Sequence, residues 1–592
     1  MEYSKLYKLT EQASKKLYES VNDVESLNEW KKQMINLINE ISELKLSSSI
    51  EINKINNTSL DPTDWLSTRH IAHQMLDSSI ESIQTIRSHP VWQPVPIEIR
   101  QSIEHESLPE QGQALSDVCH DVIKHVLPYT RGNTHPRFWG WVMGEGTLGG
   151  ILAEMIMATM NINAGGGSHS AVFVERIVIQ WMRQLFGFPK SDNGGIVVNG
   201  TSMASIICMA TARRQFLTNV RQDGIVHGPQ LIVYASKEVH MCVGKALELL
   251  GFARRQFLTN VRQDGIVHGP QLIVYASKEV HMCVGKALEL LGFGSKAMHI
   301  ISVDDKFCIK IDELKKTIEN DRKNGLTPFC IVGNAGTVNT GAFDNLVELS
   351  WIARKENMWF HVDGAFGGLI ILDPERRHLV QGIEQADSLA FDFHKWLHCP
   401  YAAGCVLIRD GTHLLSTFSV HQSYLADTER GCAVDKPWFC DLGSELSRPF
   451  RALKVWFTLK EHGTIKLGQK IADNCQQAQY LASLLEKYQD FIRIFRPITL
   501  NIVNFRLEPK ELDTSNNESI DVFNNELLAD IQLSGIAVAS TTRIHGQLYI
   551  RVCIVSHRCI LEDFDIFVDN LLKLCRIRLE NIKQSTRSVD QE

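Results

Sequence analysis

The sequence lacks any block of lysine and arginine residues. Its 61 basic and 68 acidic residues are mixed along the chain and leave a formal net charge of −7. A nucleic-acid footprint requires a concentrated basic surface, so we expect a small-molecule or protein partner and no nucleic acid. Long apolar runs are missing too. The best candidate for a membrane span, at 146–162, is interrupted by Glu154, and we expect no membrane partner.

Paired cysteines are also absent. Fourteen cysteines are scattered along the chain without a CxxC pair or the spacing of metal ligands, so we expect no bound metal. The first twelve residues, MEYSKLYKLTEQ, do not combine a basic stretch with an apolar core and do not resemble a signal peptide. We therefore expect reduced thiols and a cytoplasmic location.

The chain does contain an internal duplication. Residues 212–252 and 253–293 are identical over 41 positions. Repeat architectures need three or more copies, which usually diverge, so this is not a solenoid. The composition is that of an ordinary globular protein, with 44% hydrophobic and 22% charged residues. We interpret the repeat as a recent tandem duplication or an error in the assembly of the coding sequence.

Hydrophobic patterning divides the chain into four parts. We predict a polar helical extension at 1–58, a helical segment at 59–134, a large α/β domain at 135–455 and a small α+β domain at 456–592. In the large domain, apolar runs alternate with helical stretches, which predicts a mostly parallel sheet flanked by helices on both faces. The predicted strands are GGIVVNG, LIVYAS, MHIISV, FCIVGNAG, MWFHVDGAF, SLAFDFH and GCVLIRD. A long helix, alternating strands and a closing amphipathic helix follow.

Three stretches carry residues suited to chemistry. The strand in FHVDGAFGG ends at Asp363, and SLAFDFHKW places Lys395 after another strand. The segment GGIVVNGTSMAS joins a strand, a turn with Thr201 and Ser202, and a helix start that can hold a phosphate group. Each signal alone is weak, since capping residues and surface lysines look alike. Together they match what pyridoxal phosphate (PLP) requires: a lysine for the Schiff base, a carboxylate for the ring nitrogen and a helix start for the phosphate.

The longer motifs around these residues resemble one known family. This family is the group II PLP-dependent amino acid decarboxylases, which include aromatic-L-amino-acid, histidine and glutamate decarboxylases. The resemblance covers about residues 62–580. Its motifs are THPRFWGWV, GTSMAS, YASKEVH, GNAGTVNTGAFDNL, HVDGAFGG, DSLAFDFHKW and SELSRPFRALKVW. It implies the PLP-dependent transferase-like fold (fold type I) and a homodimer with sites at the subunit interface, to which 59–134 would contribute.

The resemblance also implies roles for individual residues. Lys395 corresponds to the lysine that binds PLP covalently, and Asp363 to the partner of the pyridine nitrogen. Ala365 corresponds to the residue against one face of the ring, and the histidine on the other face is His281 or His240, one from each copy. Thr201, Ser202 and His394 correspond to positions on the phosphate side of the cofactor. Thr337 corresponds to a residue in the loop that lines the cofactor, and His135 to one in the segment that lines the substrate mouth.

The duplication leaves two possibilities for the ring histidine. An insertion in the turn RQDGIVHGPQ would leave the second copy in the sheet and select His281. An insertion after LLGF would select His240 instead. Because the Gly- and Pro-containing turn is the softest place to insert, we favour His281.

The implied reaction is the decarboxylation of an L-amino acid to the amine and CO₂. The proton donor stays open, because the loop at 426–440 contains no tyrosine, whereas aromatic-amino-acid members of the family carry one there. Tyr424 lies just upstream. A missing donor exposes the carbanion to oxygen and would favour an oxidative aldehyde synthase on the same fold. Two further hypotheses are an aminotransferase-like enzyme and a protein made catalytically dead by its duplication.

Overall fold

The structure is a computed structural model that describes residues 32, 59–218, 220, 272–419 and 430–589. Contacts within the chain divide it into two compact units. The first comprises Met1–Leu76 and Ala114–Cys119, and the second comprises Asp77–Gln113 and His120–Glu592. All strands of the described residues belong to the second unit.

A seven-stranded sheet with the strand order β1-β7-β6-β5-β4-β2-β3 forms the centre of the second unit. Its strands are β1 (Gly195–Val198), β2 (Leu272–Ser277), β3 (Met298–Ile301), β4 (Thr327–Asn334), β5 (Trp359–Asp363), β6 (Ser388–Asp392) and β7 (Gly404–Ile408). The pairs from β3 through β2, β4 and β5 to β6 are parallel, whereas β7 is antiparallel to both β6 and β1. Every strand except β7 therefore has its carboxyl end at the same edge.

Both faces of this sheet are covered. Ile273 and Tyr275 of β2 pack in one core cluster, and Leu272, Val274 and Ala276 pack in another. All residues of this strand are buried. A strand buried on both faces needs apolar residues at consecutive positions rather than alternating ones. This explains why LIVYAS and the other strands in the interior of the sheet are continuous apolar runs.

The helices of the described residues are numbered in chain order. They are α1 (Trp65–Gln84), α2 (Ile97–Glu104), α3 (Leu115–Asp121), α4 (Leu148–Met160), α5 (Ser170–Leu185), α6 (Thr201–Phe216), α7 (Met282–Leu290), α8 (Ile311–Lys323), α9 (Leu346–Lys355), α10 (Phe393–Trp396), α11 (Thr412–Phe418), α12 (Ala452–Glu486), α13 (Asn517–Leu533) and α14 (Leu561–Val589). Thr147, Asn345 and Asn516 cap α4, α9 and α13 through side-chain oxygens that accept backbone N–H groups, as expected of these residue types. Gly463 has a non-helical conformation and divides α12.

A second sheet lies in the C-terminal part of the chain. Its strand order is β10-β11-β9-β8, and neighbouring strands are antiparallel. The strands are β8 (Ile492–Ile494), β9 (Ile502–Leu507), β10 (Ser540–Ile544) and β11 (Gln547–Cys553). Residues of α12, α13 and α14 share its core with Trp139, whose ring stacks on that of Phe564 at 5.1 Å. The motif THPRFWGWV is thereby anchored in the C-terminal core.

The predicted fold class is confirmed. A mostly parallel sheet with helices on both faces is followed by a smaller α+β region, and α12, β8–β11 and α14 match the predicted helix, strands and closing helix. The four domain boundaries remain predictions. The extension at 1–58 lies outside the described residues except for Lys32. Within the described ranges, no helix is both long enough and apolar enough to cross a membrane.

Both copies of the duplicated segment contribute to the fold. Residues 212–216 of the first copy complete α6, whereas β2 and α7 come from the second copy. These parts contact each other, because buried Arg213 donates a hydrogen bond to the carbonyl of Leu291 at 2.6 Å. The first copy thus supplies the end of α6, and the second supplies strand β2 of the central sheet and helix α7. Apart from Val220, residues 219–271 lie outside the described part of the chain.

A chain shortened by one copy should fold at least as stably as the full chain. Because the copies are identical, deleting 212–252 or 253–293 gives the same polypeptide, and it retains the sequence of every described element. A shorter connection between α6 and β2 lowers the entropic cost of loop closure by about 1 kcal/mol. Thermal unfolding of both purified chains measures the difference, and a lower midpoint for the shortened chain would contradict this expectation.

Candidate active site

Two strand ends and one helix start meet at the carboxyl edge of the central sheet. Asp363 is the last residue of β5, and Asp392 is the last residue of β6. These strands are parallel neighbours, with Asp363 paired to Ala390. Helix α6 begins at Thr201, shortly after β1 ends. This edge is where sheets of parallel strands bind their ligands.

Asp392 connects the helix start to Lys395. Its Oδ1 accepts the backbone N–H of Thr201 at 2.7 Å, and its Oδ2 lies 3.1 Å from Lys395 Nζ. The side chain of Asp392 is 3% exposed and that of Lys395 is 18% exposed. A buried carboxylate needs such partners, because an unpaired charge in the interior is strongly unfavourable. The lysine amino group is therefore held near the first turn of α6.

A glycine on β7 makes room for this carboxylate. A Cβ atom on Gly404 would lie 2.7 Å from Asp392 Oδ1 and 2.6 Å from Gly200 Cα. Gly200 precedes α6 and has no side chain with which to cap the helix. Asp392 supplies this cap from a strand end instead. The close approach of β7 to the start of α6 therefore depends on glycine at 404.

Asp363 uses its two carboxylate oxygens differently. Oδ1 accepts the backbone N–H of Ala365 at 3.0 Å. Oδ2 has the Cys283 thiol at 3.9 Å, and a thiol is a weak donor. Burial and, second, the charge of Asp363 raise the pKa of Cys283 to about 12, so the thiol stays protonated. Oδ2 is the oxygen that can accept a stronger donor, such as a protonated ring nitrogen.

His281 lies beside these groups at the N-terminus of α7. Its Nδ1 accepts the N–H of Cys283 at 3.3 Å and caps the helix, which leaves the proton of the neutral ring on Nε2. Desolvation is the largest cause that lowers the pKa of His281; Asp363 opposes this shift and Lys395 adds to it. The structure thus brings His281 near Asp363 and Lys395, whereas His240 lies outside the described residues.

The other predicted cofactor residues occupy different settings. His394 is buried, with Nδ1 2.9 Å from the carbonyl oxygen of Ala403 and Nε2 3.8 Å from Asp392 Oδ2. Ser202 is exposed in the first turn of α6, and Ala365 is half-buried after β5. His394 therefore lies near Asp392 on α10, whereas Ser202 belongs to the first turn of α6 itself.

Thr337 and His135 are engaged in local contacts. The Thr337 hydroxyl accepts the N–H of Ala342 and lies 3.1 Å from the hydroxyl of Thr340, so it stabilises its own loop. His135 is buried, and its Nδ1 accepts the N–H of Arg137 at 3.0 Å. Burial and then the charge of Arg137 lower the pKa of His135 to about 4. The cofactor and substrate contacts assigned to these two residues remain predictions.

Sequence reasoning misses two members of this cluster, Asp392 and Cys283. A signal for Asp392 exists, since it is an acidic residue at the end of an apolar run, as Asp363 is. Its contact with Thr201 spans β7, which lies between β1 and β6 in the sheet, and the sequence does not reveal that strand order. Cys283 is one of fourteen scattered cysteines, and only folding brings it to Asp363.

These residues fit PLP. Lys395 provides an amine, Asp363 Oδ2 an acceptor for a ring N–H, and α6 an N-terminus for a phosphate group. The Thr201 Oγ1 atom is buried without a hydrogen-bond partner among the described residues, which is unfavourable unless a ligand satisfies it. Among the residues that the structure describes, no group of three or more His, Cys, Asp or Glu side chains could hold a metal ion.

A buried ion pair fixes the strand that leads to the helix start. Arg448, in the SELSRPF motif, has its Nη2 2.6 Å from Glu175 Oε1, and both side chains are 1% exposed. Arg448 donates to the carbonyl of Val197 at 2.7 Å, and Glu175 accepts the N–H of Val197 at 3.0 Å. Because Val197 belongs to β1, this pair positions the strand immediately before Thr201.

Comparison with known proteins agrees with this site. The chain matches the pyridoxal-dependent decarboxylase conserved domain over residues 96–270 and 253–508. It is 31% identical over 500 residues to an aromatic-L-amino-acid decarboxylase of Bacillus atrophaeus, with 84% of this chain and 92% of the relative covered. It is 27% identical over 511 residues to a phenylacetaldehyde synthase of Petunia hybrida, with 84% and 91% covered.

A solved structure extends the likeness to the fold. The crystal structure of Oryza sativa TDC with PLP and tryptamine superposes with a TM-score of 0.74 at 21% identity, and covers 88% of this chain and 100% of that chain. The fold and the site together define a PLP-dependent enzyme of fold type I. The chain belongs to the pyridoxal-dependent decarboxylase family. It is a PLP-dependent amino acid decarboxylase, and its two matched stretches overlap inside the second copy of the duplication.

Breaking the Arg448–Glu175 pair should destabilise the protein. Arg448→Met leaves the Glu175 carboxylate buried without its partner, and we expect a loss of about 3–5 kcal/mol in the free energy of unfolding. The double variant Glu175→Gln/Arg448→Met removes both charges and should recover part of that loss. Urea unfolding of the parent and both variants measures these differences. Equal losses in the single and double variants would contradict the role of the ion pair.

Proposed function

We propose that this decarboxylase binds PLP covalently through Lys395, with Asp363 at the ring nitrogen and the N-terminus of α6 at the phosphate. The observation that carries the proposal is the meeting of these groups at one sheet edge. Asp392 lies within 3.1 Å of both Thr201 N and Lys395 Nζ. The interactions of His281 with Asp363 and Lys395 support the same position for the ring.

We assign different roles in the reaction to different residues of the chain. When bound, PLP supplies an electron sink for the electron pair left on the α-carbon as CO₂ departs. Asp363 Oδ2 accepts the ring N–H and so keeps that proton in place. Ala365 has no side chain beyond Cβ and leaves space for one ring face, and His281 covers the other.

His281 is our candidate for the acid that protonates the α-carbon. Its ring carries the proton on Nε2, since Nδ1 accepts a backbone N–H. Neither aromatic side chain at the described end of the 426–440 loop replaces the tyrosine, because Trp438 Nε1 donates to the carbonyl of Val434 at 3.1 Å and Phe439 is buried. Tyr424 lies outside the described residues.

An oxidative aldehyde synthase is the second candidate. The absence of a tyrosine in the 426–440 loop favours it, as does the likeness to the phenylacetaldehyde synthase of Petunia hybrida. In that reaction, oxygen takes two electrons and two protons and leaves as hydrogen peroxide. Water then releases the aldehyde and ammonia. The same residues would bind PLP in both reactions, so the products distinguish them.

An aromatic L-amino acid is the substrate class we propose. The names of the relatives from Bacillus atrophaeus and Narcissus pseudonarcissus, among them tyrosine decarboxylases, support it. An exposed aromatic ring beside a site residue also supports it. The ring of Tyr401 lies 4.2 Å from that of His394, and Tyr401 is 46% exposed. Such rings can stack on an aromatic side chain.

Lys395→Ala should abolish both the visible absorbance band of bound PLP and the release of CO₂. Asp363→Asn should keep the band and lose about a hundredfold in rate, because a charge that stabilises the transition state is removed. Lys470→Ala changes a lysine outside the site and serves as the control. Absorbance after removal of excess PLP, followed by CO₂ release from tyrosine, tryptophan, phenylalanine and glutamate, measures these effects.

The products decide between the candidate functions. Amine in proportion to CO₂ supports the decarboxylase, whereas aldehyde and hydrogen peroxide in proportion to CO₂ support the synthase. A band that survives in Lys395→Ala would refute the role of Lys395. If the full chain forms no band and the chain lacking one copy does, the duplication has inactivated the enzyme.

We further propose that the enzyme is a homodimer, as the family resemblance implies. Exposed apolar side chains line α4 and α5, and those on α4 recur at helical spacing along one face. They are Leu148, Leu152, Met155, Ile156, Met160, Phe173 and Ile177. A surface of this kind is uncommon on a monomer, and a second copy of the chain would cover it. A cytoplasmic location is supported by the thirteen cysteines of the described residues, all of them unpaired.

Ile156→Asp should convert the dimer to a monomer. The substitution places a charge in the centre of the apolar face, where a subunit interface would have to bury it without a partner. Ile465→Asp is the control, because Ile465 is also exposed but lies on α12. Size-exclusion chromatography with light scattering gives the mass. A monomeric parent chain, or an unchanged mass for Ile156→Asp, would contradict the proposal.

A further inference from the structure

A buried carboxylate stands where the proposed phosphate site begins. Asp392 Oδ1 takes the first N–H group of α6, and the side chain is almost fully buried. A phosphate group at this helix start would add almost two negative charges to the site. Anions that share a site poor in water repel each other. The site is therefore built with a charge that opposes its proposed ligand.

The cations around Asp392 determine how far this repulsion is cancelled. Lys395 Nζ lies 3.1 Å from Oδ2 and His394 Nε2 lies 3.8 Å from it. Burial lowers the pKa of His394, although Asp392 opposes the shift, so this imidazole is neutral at pH 7. The charge that compensates Asp392 is therefore that of Lys395. This is the same amine that is proposed to react with PLP.

We propose that Asp392 is a positioning residue that guides Lys395 to the phosphate end of the site before the covalent link forms, while its carboxylate weakens the binding of the phosphate group. The inference rests on the proposed roles of Lys395 and Thr201. It predicts two effects of opposite sign. Asp392 accelerates the covalent step, in which the Lys395 ammonium gives a proton to Asp392 Oδ2, 3.1 Å away, the free amine forms a C=N bond with the aldehyde carbon, and the aldehyde oxygen leaves as water. It also lowers the affinity for a ligand that carries a phosphate group.

Asp392→Asn separates the charge from the hydrogen bond. An asparagine side chain keeps an oxygen that accepts the N–H of Thr201, so the cap of α6 remains, but it carries no charge for Lys395. Asp387→Asn is the matched control. Asp387 directly precedes β6, at the end opposite Asp392, and its carboxylate likewise accepts a backbone N–H, that of Phe360 at 2.8 Å.

The first measurement is the affinity of the PLP-free chains for 4′-deoxypyridoxine 5′-phosphate. This compound has the phosphate group but no aldehyde, so it cannot react with Lys395. We expect Asp392→Asn to bind it about tenfold more tightly than the parent, which corresponds to about 1.4 kcal/mol. Pyridoxine, which lacks the phosphate, should bind both chains equally. Isothermal titration calorimetry provides the dissociation constants.

The second measurement is the rate at which the visible band appears after mixing with saturating PLP. We expect Asp392→Asn to react several-fold more slowly than the parent, because an asparagine neither holds the amine in place nor accepts the proton that Lys395 must lose before it attacks the aldehyde. Asp387→Asn should match the parent in both measurements. Stopped-flow absorbance gives the rates, and thermal unfolding checks that each variant is folded.

Losses in both measurements would make Asp392 a structural residue or a phosphate ligand and would overturn the inference. Unchanged values in both would overturn it too. Failure of the proposed function has a different signature. If the parent forms no band, or Lys395→Ala keeps one, the role of Lys395 fails, while the affinity for 4′-deoxypyridoxine 5′-phosphate still reports the effect of the Asp392 charge.

Discussion

The need to pair one buried carboxylate organises the active site. Asp392 ends β6, yet its partners are the backbone of Thr201 after β1 and the side chain of Lys395 on α10. A charge buried this deeply is tolerated only with such partners. This arrangement in turn requires glycine at 404, where a Cβ would collide with Gly200 and with Asp392. One electrostatic requirement thus fixes the relative positions of a strand end, a helix start and the reactive amine.

Further buried charges connect the surrounding segments to this centre. Glu145 follows the THPRFWGWV motif and accepts the hydroxyl of Ser556 at 2.7 Å, while Arg558 Nη1 lies 3.1 Å from its carboxylate. Arg551 on β11 donates to the carbonyls of Val338 and Trp141, both at 2.8 Å. The loop with Thr337 and the segment with His135 are therefore tied to the C-terminal sheet. Displacement of that sheet would move both segments.

The sequence predicts the parts of this molecule that depend on local patterns. Continuous apolar runs identify the strands in the interior of the sheet, because burial on both faces demands them; the edge strand β3 has such a run although Ile300 is exposed. Asp363 and Lys395 are recognisable as residues that follow such runs. The contact of Asp392 with Thr201 cannot be recognised in this way, because it joins the ends of β6 and β1, which are separated by β7, and so depends on the order of the strands. The burial of His135 and the hydroxyl contacts of Thr337 likewise follow from tertiary packing. Identical copies give no local basis for choosing His281 over His240, since only their connections differ.

The division of the fold between the two copies has a genetic consequence. The packed unit takes Arg213 from the first copy and Leu291 from the second, and the surplus residues lie between these two positions in the chain. Because the two copies have the same amino-acid sequence, an exchange between corresponding codons of the gene would remove 41 residues in frame. The product is the same wherever the exchange occurs. A gene for a chain with a single histidine at this position is therefore one event away, and that event leaves every packed contact described here encoded.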